Sequence, residues 1–187
     1  LAMSAAAGLK DALAAEVVVF TMGPPQARDA LVQCLAMGAD RAVHLMDKGF
    51  AGSDTLATAR ALSLALRQEH FDLIICGLNS VDAETGQVGP EIAELLDLPQ
   101  ITAVTRLEAS DSGADITAER LTDAGHDVVY CPLPALVTVT EGVAPEVYPS
   151  PQALEAVRSD DLTELTAADL SEDRSLFGPE GSPTWVS

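Results

Sequence analysis

Basic residues are scarce in this sequence of 187 residues. Ten lysines and arginines stand against 29 aspartates and glutamates, which gives a formal net charge of −19. So few cations cannot neutralise many phosphates, and this argues against a nucleic-acid partner. The same shortage argues against binding to an anionic membrane surface. No apolar run approaches the ~20 residues that a membrane-spanning helix needs, so we expect no membrane insertion.

Cysteines are few and widely spaced. Cys34, Cys76 and Cys131 form no C-x-x-C pair, and their odd number does not suit a disulfide framework. They predict buried, reduced thiols and therefore a cytoplasmic location.

The sequence also opens without methionine, and "LAMSAAAGLKDALA" has the composition expected for the middle of a helix. We therefore expect the natural N-terminus, with a further strand, to lie upstream.

Patterns that indicate catalysis are absent as well. The three histidines lie on different predicted elements, without the spacing of metal ligands. The sequence contains no G-x-S-x-G motif, and no local pattern pairs a cysteine with a histidine. We therefore predict no catalytic residues and no metal site. A binding or carrier role is favoured over an enzyme with its own chemistry.

The first half of the chain alternates between strand-like and helix-like segments. Continuous apolar runs at 16–21, 42–45 and 72–76 predict buried strands. The segments 24–38 and 53–70 between them have helical periodicity, with Ser53 or Asp54 suited to cap the second helix. This alternation predicts an α/β fold with a doubly wound, mostly parallel, Rossmann-like sheet.

The second half changes character. Strand-like runs at 101–110, 114–121, 126–131 and 135–140 are broken by turn residues and predict an added antiparallel meander. From residue 141 the chain is rich in Pro, Asp and Ser, with at most two short helices near 151–158 and 166–170. We therefore predict an α/β domain over 1–140. Residues 141–187 are predicted to be an extended C-terminal segment for partner contact, because its apolar side chains need burial on another subunit.

One junction carries most of the functional signal. "CGLNSVDAETGQVGP" (76–90) links the third predicted strand to a helix. Loops that follow parallel strands share one edge of a sheet, so we expect this loop to lie beside the "TMGPP" loop after the first strand. A helix start offers free backbone N–H groups to an anion, and Gly86 and Gly89 allow close approach. The alternative is a simple turn, since neither G-x-G-x-x-G nor G-x-x-x-x-G-K-[ST] is present.

Three stretches carry a family resemblance. "MGPPQARDALVQCLAMGADRAVHL" (22–45), "DLIICGLNSVDAETGQVGPEIAELLDLPQITAV" (72–104) and "GPEGSPTWV" (178–186) resemble the β subunit of electron transfer flavoproteins. The resemblance implies an electron carrier that forms a heterodimer with an α subunit, with the redox FAD shared with that subunit or held mainly by it. It also implies that the domain over 1–140 binds an adenine nucleotide, which is AMP or a second FAD, and that a flavin dehydrogenase is the electron partner.

The resemblance also implies which residues contact the nucleotide. They are Met22, Gly77, Leu78, Asn79, Ser80, Val81, Asp82, Thr85, Gly86, Gln87 and Val88. The last four of these would lie at the phosphates.

The sequence departs from the family pattern in three places. The family's first strand, whose following loop also touches the nucleotide, is not present. "GQVG" (86–89) stands where AMP-type members often have "NQTG", which favours the type that binds FAD. In the region that meets dehydrogenases, 141–161, Arg158 is the only basic residue where the family has several lysines.

Two other functions fit the residues. A stand-alone adenine-nucleotide sensor of the same fold would need no α partner. A transferase that uses ATP would need Lys or Arg near the phosphate loop to grip pyrophosphate, and no such residue occurs between 72 and 104. The electron-carrier interpretation is the one that accounts for the resemblance.

Overall fold

The structure is a computed structural model that describes residues 1–80 and 84–184. Its contacts divide the chain into two compact units. The first unit comprises Leu1–Ala15 and Phe71–Val147, and the second comprises Glu16–His70 and the segment from Tyr148 onwards.

The elements alternate along the chain. The helices are α1 (Ala2–Leu13), α2 (Arg28–Ala36), α3 (Thr55–Leu66), α4 (Val88–Leu96), α5 (Pro151–Ala156), α6 (Ala167–Leu170) and α7 (Gly178–Gly181). The strands are β1 (Val18–Met22), β2 (Arg41–Leu45), β3 (Leu73–Gly77), β4 (Gln100–Ala109), β5 (Asp115–Thr122), β6 (Gly125–Pro132), β7 (Ala135–Val139) and β8 (Leu162–Leu165).

The second unit is built on a three-stranded parallel sheet. Its order is β1-β2-β8, so β2 is the central strand. The helix α3 begins where the Asp54 carboxylate accepts the N–H of Ala57 at 3.0 Å, as a cap. One core cluster joins α3 to this sheet and to the C-terminal segment. Its buried members are Val43, Leu45, Phe50, Ala61, Ala65, Ala167 and Phe177.

The first unit is built on a five-stranded mixed sheet. Its order is β3-β7-β4-β5-β6. The pairs β3–β7 and β7–β4 are parallel, whereas β4–β5 and β5–β6 are antiparallel. All five residues of β7 are buried, as expected for a strand inside a sheet that is covered on both faces.

The α/β class and the antiparallel meander β4–β5–β6 are confirmed, but the predicted single parallel sheet is wrong. The strand β3 pairs with β7 in the first unit, while β1 and β2 pair with each other in the second. The segment 135–140, predicted to be part of the meander, forms a parallel strand instead. Periodicity identifies a strand by its own residues, and it carries no information on which other strand will pair with it.

The C-terminal segment is also more structured than predicted. The two short helices expected there, α5 and α6, are present. Between them along the chain lies the strand β8, which pairs in parallel with β2. Phe177 is buried and Leu165, Leu170 and Leu176 pack against the same core cluster. The prediction that these apolar side chains need a partner subunit for burial is therefore wrong for these four residues. Trp185 lies outside the described residues, and the domain boundary at 140 stays a prediction.

Candidate functional site

The loop after β3 leaves the sheet beside the end of β7. The N–H of Leu78 donates to the carbonyl of Val139 at 3.0 Å, which holds the first loop residue against the neighbouring strand. Farther along, the N–H of Glu84 donates to the carbonyl of Ser80 at 3.0 Å, and Glu84 itself has a φ of +50°. The loop therefore folds back on itself before it enters α4.

The structure brings most of the predicted loop contacts together at this turn. Gly77, Asn79, Ser80, Thr85 and Gln87 are exposed, and Leu78, Gly86 and Val88 are half-buried. Val81 and Asp82, two further predicted contacts, lie outside the described residues. A ligand at this loop would therefore meet mainly exposed polar groups and backbone.

Gly86 is the most constrained described residue of the loop. Its φ of +63° lies in the left-handed region, and a Cβ there would lie 3.0 Å from Oδ1 of Asn79. A side chain at this position would thus be strained by its backbone and crowded by its neighbour.

The helix α4 begins directly after this turn. Pro90 has no N–H and Gly89 is buried, so the amide of Val88 is the helix-start donor that an anion could reach. The helix dipole also favours negative charge at this end. Glu91 in the first turn opposes an incoming anion, and the loop contains no cationic side chain. Backbone amides would therefore have to supply the attraction.

Gly89 fixes the position of α4 against the sheet. It is buried, and a Cβ on it would lie 2.5 Å from Cγ2 of Thr138 in β7. The hydroxyl of the same Thr138 accepts the N–H of Ala103 at 3.2 Å. The sequence predicted that Gly89 approaches a ligand, whereas the structure shows it in contact with a strand. The sequence did not predict that Thr138 contacts α4. The one sign of a special role is that it is a polar residue in the apolar run "ALVTV".

Met22, the remaining predicted contact, lies in the second unit at the carboxyl end of β1. It is half-buried, and the residue after it, Gly23, is held through both of its backbone polar groups. The N–H of Gly23 donates to the carbonyl of Leu45 at 3.1 Å, and its carbonyl oxygen lies 3.0 Å from Nε2 of His44. The argument that one sheet edge brings Met22 and the 77–88 loop together is wrong, because β1 and β3 lie in different sheets.

Comparison with known proteins identifies the family. A family model described as "Electron transfer flavoprotein domain" matches residues 1–170. An electron transfer flavoprotein subunit beta from Thermoanaerobacterium thermosaccharolyticum is 40% identical, over 99% of this chain and 71% of the relative. This chain belongs to the electron transfer flavoprotein beta family. Protein FixA from Bradyrhizobium diazoefficiens is also similar, with 42% identity over 99% of this chain and 67% of its own length.

Membership of this family confirms the resemblance and the function at the level of electron transfer. Members of the electron transfer flavoprotein family are electron-transfer proteins, and this agrees with a carrier role. No helix in the part of the chain that the structure describes is long and apolar enough to cross a membrane. Within the same residues, no group of three or more His, Cys, Asp or Glu is placed to hold a metal ion.

The cysteines of this electron transfer flavoprotein chain are all free thiols. Burial raises the pKa of Cys76, at the end of β3, to about 11. Burial also raises the pKa of Cys34 and of Cys131. A raised pKa keeps a thiol protonated near neutral pH, and a protonated thiol is a poor nucleophile. The geometry therefore favours cysteines that pack over cysteines that react.

Proposed function

We propose that this chain is the beta subunit of a heterodimeric electron transfer flavoprotein, that it pairs with an alpha subunit, and that it binds AMP or FAD through the loop after β3. The observation that carries the proposal is the turn just before α4, where Gly86 has a left-handed backbone and an added Cβ would meet Oδ1 of Asn79. Support for the electron-transfer role comes from the family and its beta-subunit members.

The phosphates would be bound by backbone amides rather than by cations. Residues 72–104 contain no Lys or Arg, so charge neutralisation by side chains is not available at this loop. The backbone amide of Val88 at the start of α4 remains, together with the hydroxyl of Thr85. Such donors suit a phosphate ester at a helix N-terminus.

The flavin would supply hydride and single-electron chemistry when it is bound. We place the redox FAD mainly on the alpha subunit and the second nucleotide on this chain, whose residues would bind and orient it. No step of the electron transfer needs a nucleophile or a general base from this chain, in agreement with its protonated thiols. We further propose that the protein works in the cytoplasm, where its thiols stay reduced.

Replacement of Gly86 by valine is expected to weaken nucleotide binding at least tenfold. The branched side chain would be strained at a φ of +63° and would meet Asn79 Oδ1, so the approach to the backbone would be closed. Titration calorimetry with AMP and with FAD, on the complex of both subunits freed of nucleotide, measures the change. It also identifies which of the two nucleotides this chain prefers.

Gly113 offers a matched control for this substitution. It lies in the turn between β4 and β5 with a φ of +66°, and a Cβ there would meet nothing within 4 Å. Gly113→Val should therefore strain the backbone to a similar extent and leave nucleotide affinity unchanged. If Gly86→Val and Gly113→Val bind the nucleotide equally well, the loop is a turn and not a phosphate site. If this chain binds the nucleotide without an alpha subunit, the result would favour a stand-alone nucleotide sensor over an electron-carrier subunit.

The electron partner is predicted to meet an acidic surface around α5. Glu155 and Asp160 are exposed, and Arg158, the single cation of residues 141–161, is paired with Asp160 at 3.3 Å. A second cation, Arg28 of α2, lines the neighbouring groove. Leu154 and Val157 line a shallow groove beside α2 and offer apolar contacts. An exposed rim charge mainly changes the association rate, so docking here would favour a partner with a basic or apolar face.

The ionic-strength dependence of electron transfer tests this surface. Salt slows association between opposite charges and speeds it between like charges, so Glu155→Lys with Asp160→Lys should change the slope of rate against ionic strength. Glu172→Lys with Glu180→Lys makes the same change in net charge at exposed positions elsewhere and should change the slope less. Coinciding slopes for the wild type and the Glu155/Asp160 variant would show that α5 has no electrostatic part in docking.

A further inference from the structure

The antiparallel strands β4, β5 and β6 of the first unit have one buried face and one exposed face. Ile116 and Ala118 of β5 and Cys131 of β6 belong to the buried core cluster of this unit. Because side chains alternate along a strand, the residues between them lie on the opposite face, which we call the outer face. The exposed members of the outer face on β6 are His126, Val128, Tyr130 and Pro132.

The outer face of β6 is apolar where a strand that faces water is expected to be polar. Val128 is 73% exposed and Tyr130 is 66% exposed. Leu121 of β5, which lies diagonally across from Val128, is 49% exposed. The neighbouring outer positions of β5 follow the expected pattern, since they are Thr117 and Glu119. Single exposed apolar residues are ordinary, but a contiguous group of them is typical of an interaction site.

The charged side chains around this group are paired with one another. Nε and Nη2 of Arg106 both donate to Oε1 of Glu108. Nδ1 of His126 lies 3.1 Å from Oε1 of Glu119. The carboxylates beside Val128 therefore already have partners and need no cation from another chain. An apolar surface is a better match for this face than a basic one, because the cores of interfaces are depleted of charge.

Tyr130 has the properties of an anchor residue. Its hydroxyl donates to the carboxylate of Asp115 on β5, and this bond raises the pKa of Tyr130. The bond restrains the ring before any partner arrives, so less conformational entropy is lost when the ring is covered. Tyrosine is also one of the residues that most often dominate the binding energy of an interface.

The backbone of β6 is available for contact as well as its side chains. This strand is the last in the order β3-β7-β4-β5-β6, so one of its edges pairs with no strand among residues 1–80 and 84–184. It extends over Gly125–Pro132 and contains no lysine. The middle of the strand, 128–131, has neither a charged residue nor a proline, which are the usual protections of a free edge.

A second copy of this chain is a poor occupant for the surface. Each copy carries a formal net charge of −19, and a charge so far from zero keeps proteins monomeric through repulsion. A different chain with fewer acidic residues would meet the same surface without this repulsion. The C-terminal segment, where partner contact was predicted, buries Leu165, Leu170, Leu176 and Phe177 in its own unit. The apolar contacts for a partner must therefore come from elsewhere in the chain.

We propose that the outer face and the free edge of β6 form a contact surface for the alpha subunit, which covers Val128 and Tyr130 with apolar side chains. This inference rests on the proposed function, because it takes the alpha subunit as the partner. The surface that it requires on that subunit is apolar at its centre and has no excess of acidic residues. Such a contact would bury the two most exposed large apolar side chains among the described residues of the first unit.

Four substitutions test the surface. Val128→Lys and Tyr130→Lys each place a charge within the proposed contact, and Tyr130→Phe keeps the ring there. Tyr148→Lys is the matched control, because it makes the same change at a tyrosine of the second unit that is 78% exposed. All three positions are largely exposed, so the Tm of this chain should change little in any variant.

The measurements use the complex of this chain with its alpha subunit. Sedimentation over a dilution series gives the Kd between the subunits. Val128→Lys and Tyr130→Lys should raise this Kd at least about tenfold, because a charge buried without a partner is unfavourable and central aromatic contacts dominate binding. Tyr130→Phe should stay within about threefold of the wild type, and Tyr148→Lys should not change the Kd. In the wild type, hydrogen exchange of residues 125–132 should slow when the alpha subunit binds.

Three results would overturn the inference and leave the proposed function standing. The first is a wild-type complex whose Kd is unchanged in both Val128→Lys and Tyr130→Lys, or whose residues 125–132 exchange as fast as in this chain alone. The second is an equal rise of the Kd in Tyr148→Lys, because added charge at any exposed position would then explain the loss. The third is a dimer of this chain alone that Val128→Lys dissociates, because the surface would then belong to a second copy.

A different result would contradict both proposals. If the wild-type chain does not bind an alpha subunit at all, the heterodimer of the proposed function fails, and the contact surface on β6 fails with it.

Discussion

Replacement of Gly89 by alanine is expected to destabilise the first unit by about 3 kcal/mol, near the upper end for an overpacked core. The added Cβ would lie 2.5 Å from Cγ2 of Thr138, closer than two carbon atoms can approach. Both residues are buried, and α4 packs directly on β7. The helix therefore has to move away from the strand, and the loop that precedes it moves with it. We expect weaker nucleotide binding as well as a lower unfolding midpoint in urea.

Two companion variants identify the cause of this loss. Gly8, in the helix α1 of the same unit, has nothing within 4 Å of an added Cβ, so Gly8→Ala should stabilise by up to about 1 kcal/mol through helix propensity. Thr138→Ser removes the obstructing methyl group and keeps the hydroxyl that accepts the Ala103 N–H. The double variant Gly89→Ala with Thr138→Ser should recover most of the stability. Failure of that rescue would mean that the contact between α4 and β7 is not what limits residue 89.

Local structure could be predicted from the sequence because its causes are local. The cap at Asp54 follows from a side-chain oxygen placed just before a helical apolar pattern, and the Asp54–Ala57 hydrogen bond agrees. The apolar run at 72–76 and the turn residues after it likewise predicted β3 and its loop. In each of these cases the residues that determine the element lie within a few positions of one another.

Strand partners could not be predicted in this way. The runs that became β1, β2 and β3 look alike, yet β3 pairs with β7, about 60 residues away along the chain. The strand β8 has only four residues, and its pattern "LTEL" is too short to be distinguished from a loop. Its assignment depends on the open edge of β2, which the local sequence does not reveal.

The same distinction between local and distant causes applies to the candidate site. Gly86 was predicted to allow the close approach of a nucleotide. The structure gives it a positive φ and places Asn79 Oδ1 beside it, and its contact with a nucleotide stays a prediction. Gly89 carried the same signal, but the group that approaches it is Thr138 rather than a ligand. A glycine shows that something comes near, and only the fold identifies what it is. The contact of His44 with the Gly23 carbonyl could not be predicted either, because the two residues are 21 positions apart along the chain.

The second large effect is expected from Phe177→Ala, which should destabilise the second unit by about 3–4 kcal/mol. The ring is 3% exposed and meets Phe50 edge to face, with ring centroids 5.3 Å apart. Its removal leaves a cavity between the C-terminal segment and α3, which the remaining side chains fill only in part. Tyr148, which is 78% exposed in the same unit, is the matched aromatic control, and Tyr148→Ala should change stability by less than about 0.5 kcal/mol.

The hydrogen bonds next to Phe177 explain why this segment should remain folded on its own chain. The N–H of Gly178 donates to Oγ of Ser53 at 3.0 Å, and the N–H of Thr184 donates to the Asp54 carboxylate at 3.0 Å. Burial raises the pKa of Asp54, but the hydrogen bonds that its carboxylate accepts outweigh burial and leave that pKa below its ordinary value. The carboxylate is therefore charged at neutral pH and keeps these bonds.

Urea unfolding and limited proteolysis of Phe177→Ala, with and without the alpha subunit, provide the test. If the loss of stability occurs only in the complex, the partner rather than this chain buries the ring, and the packing against Phe50 does not hold the segment.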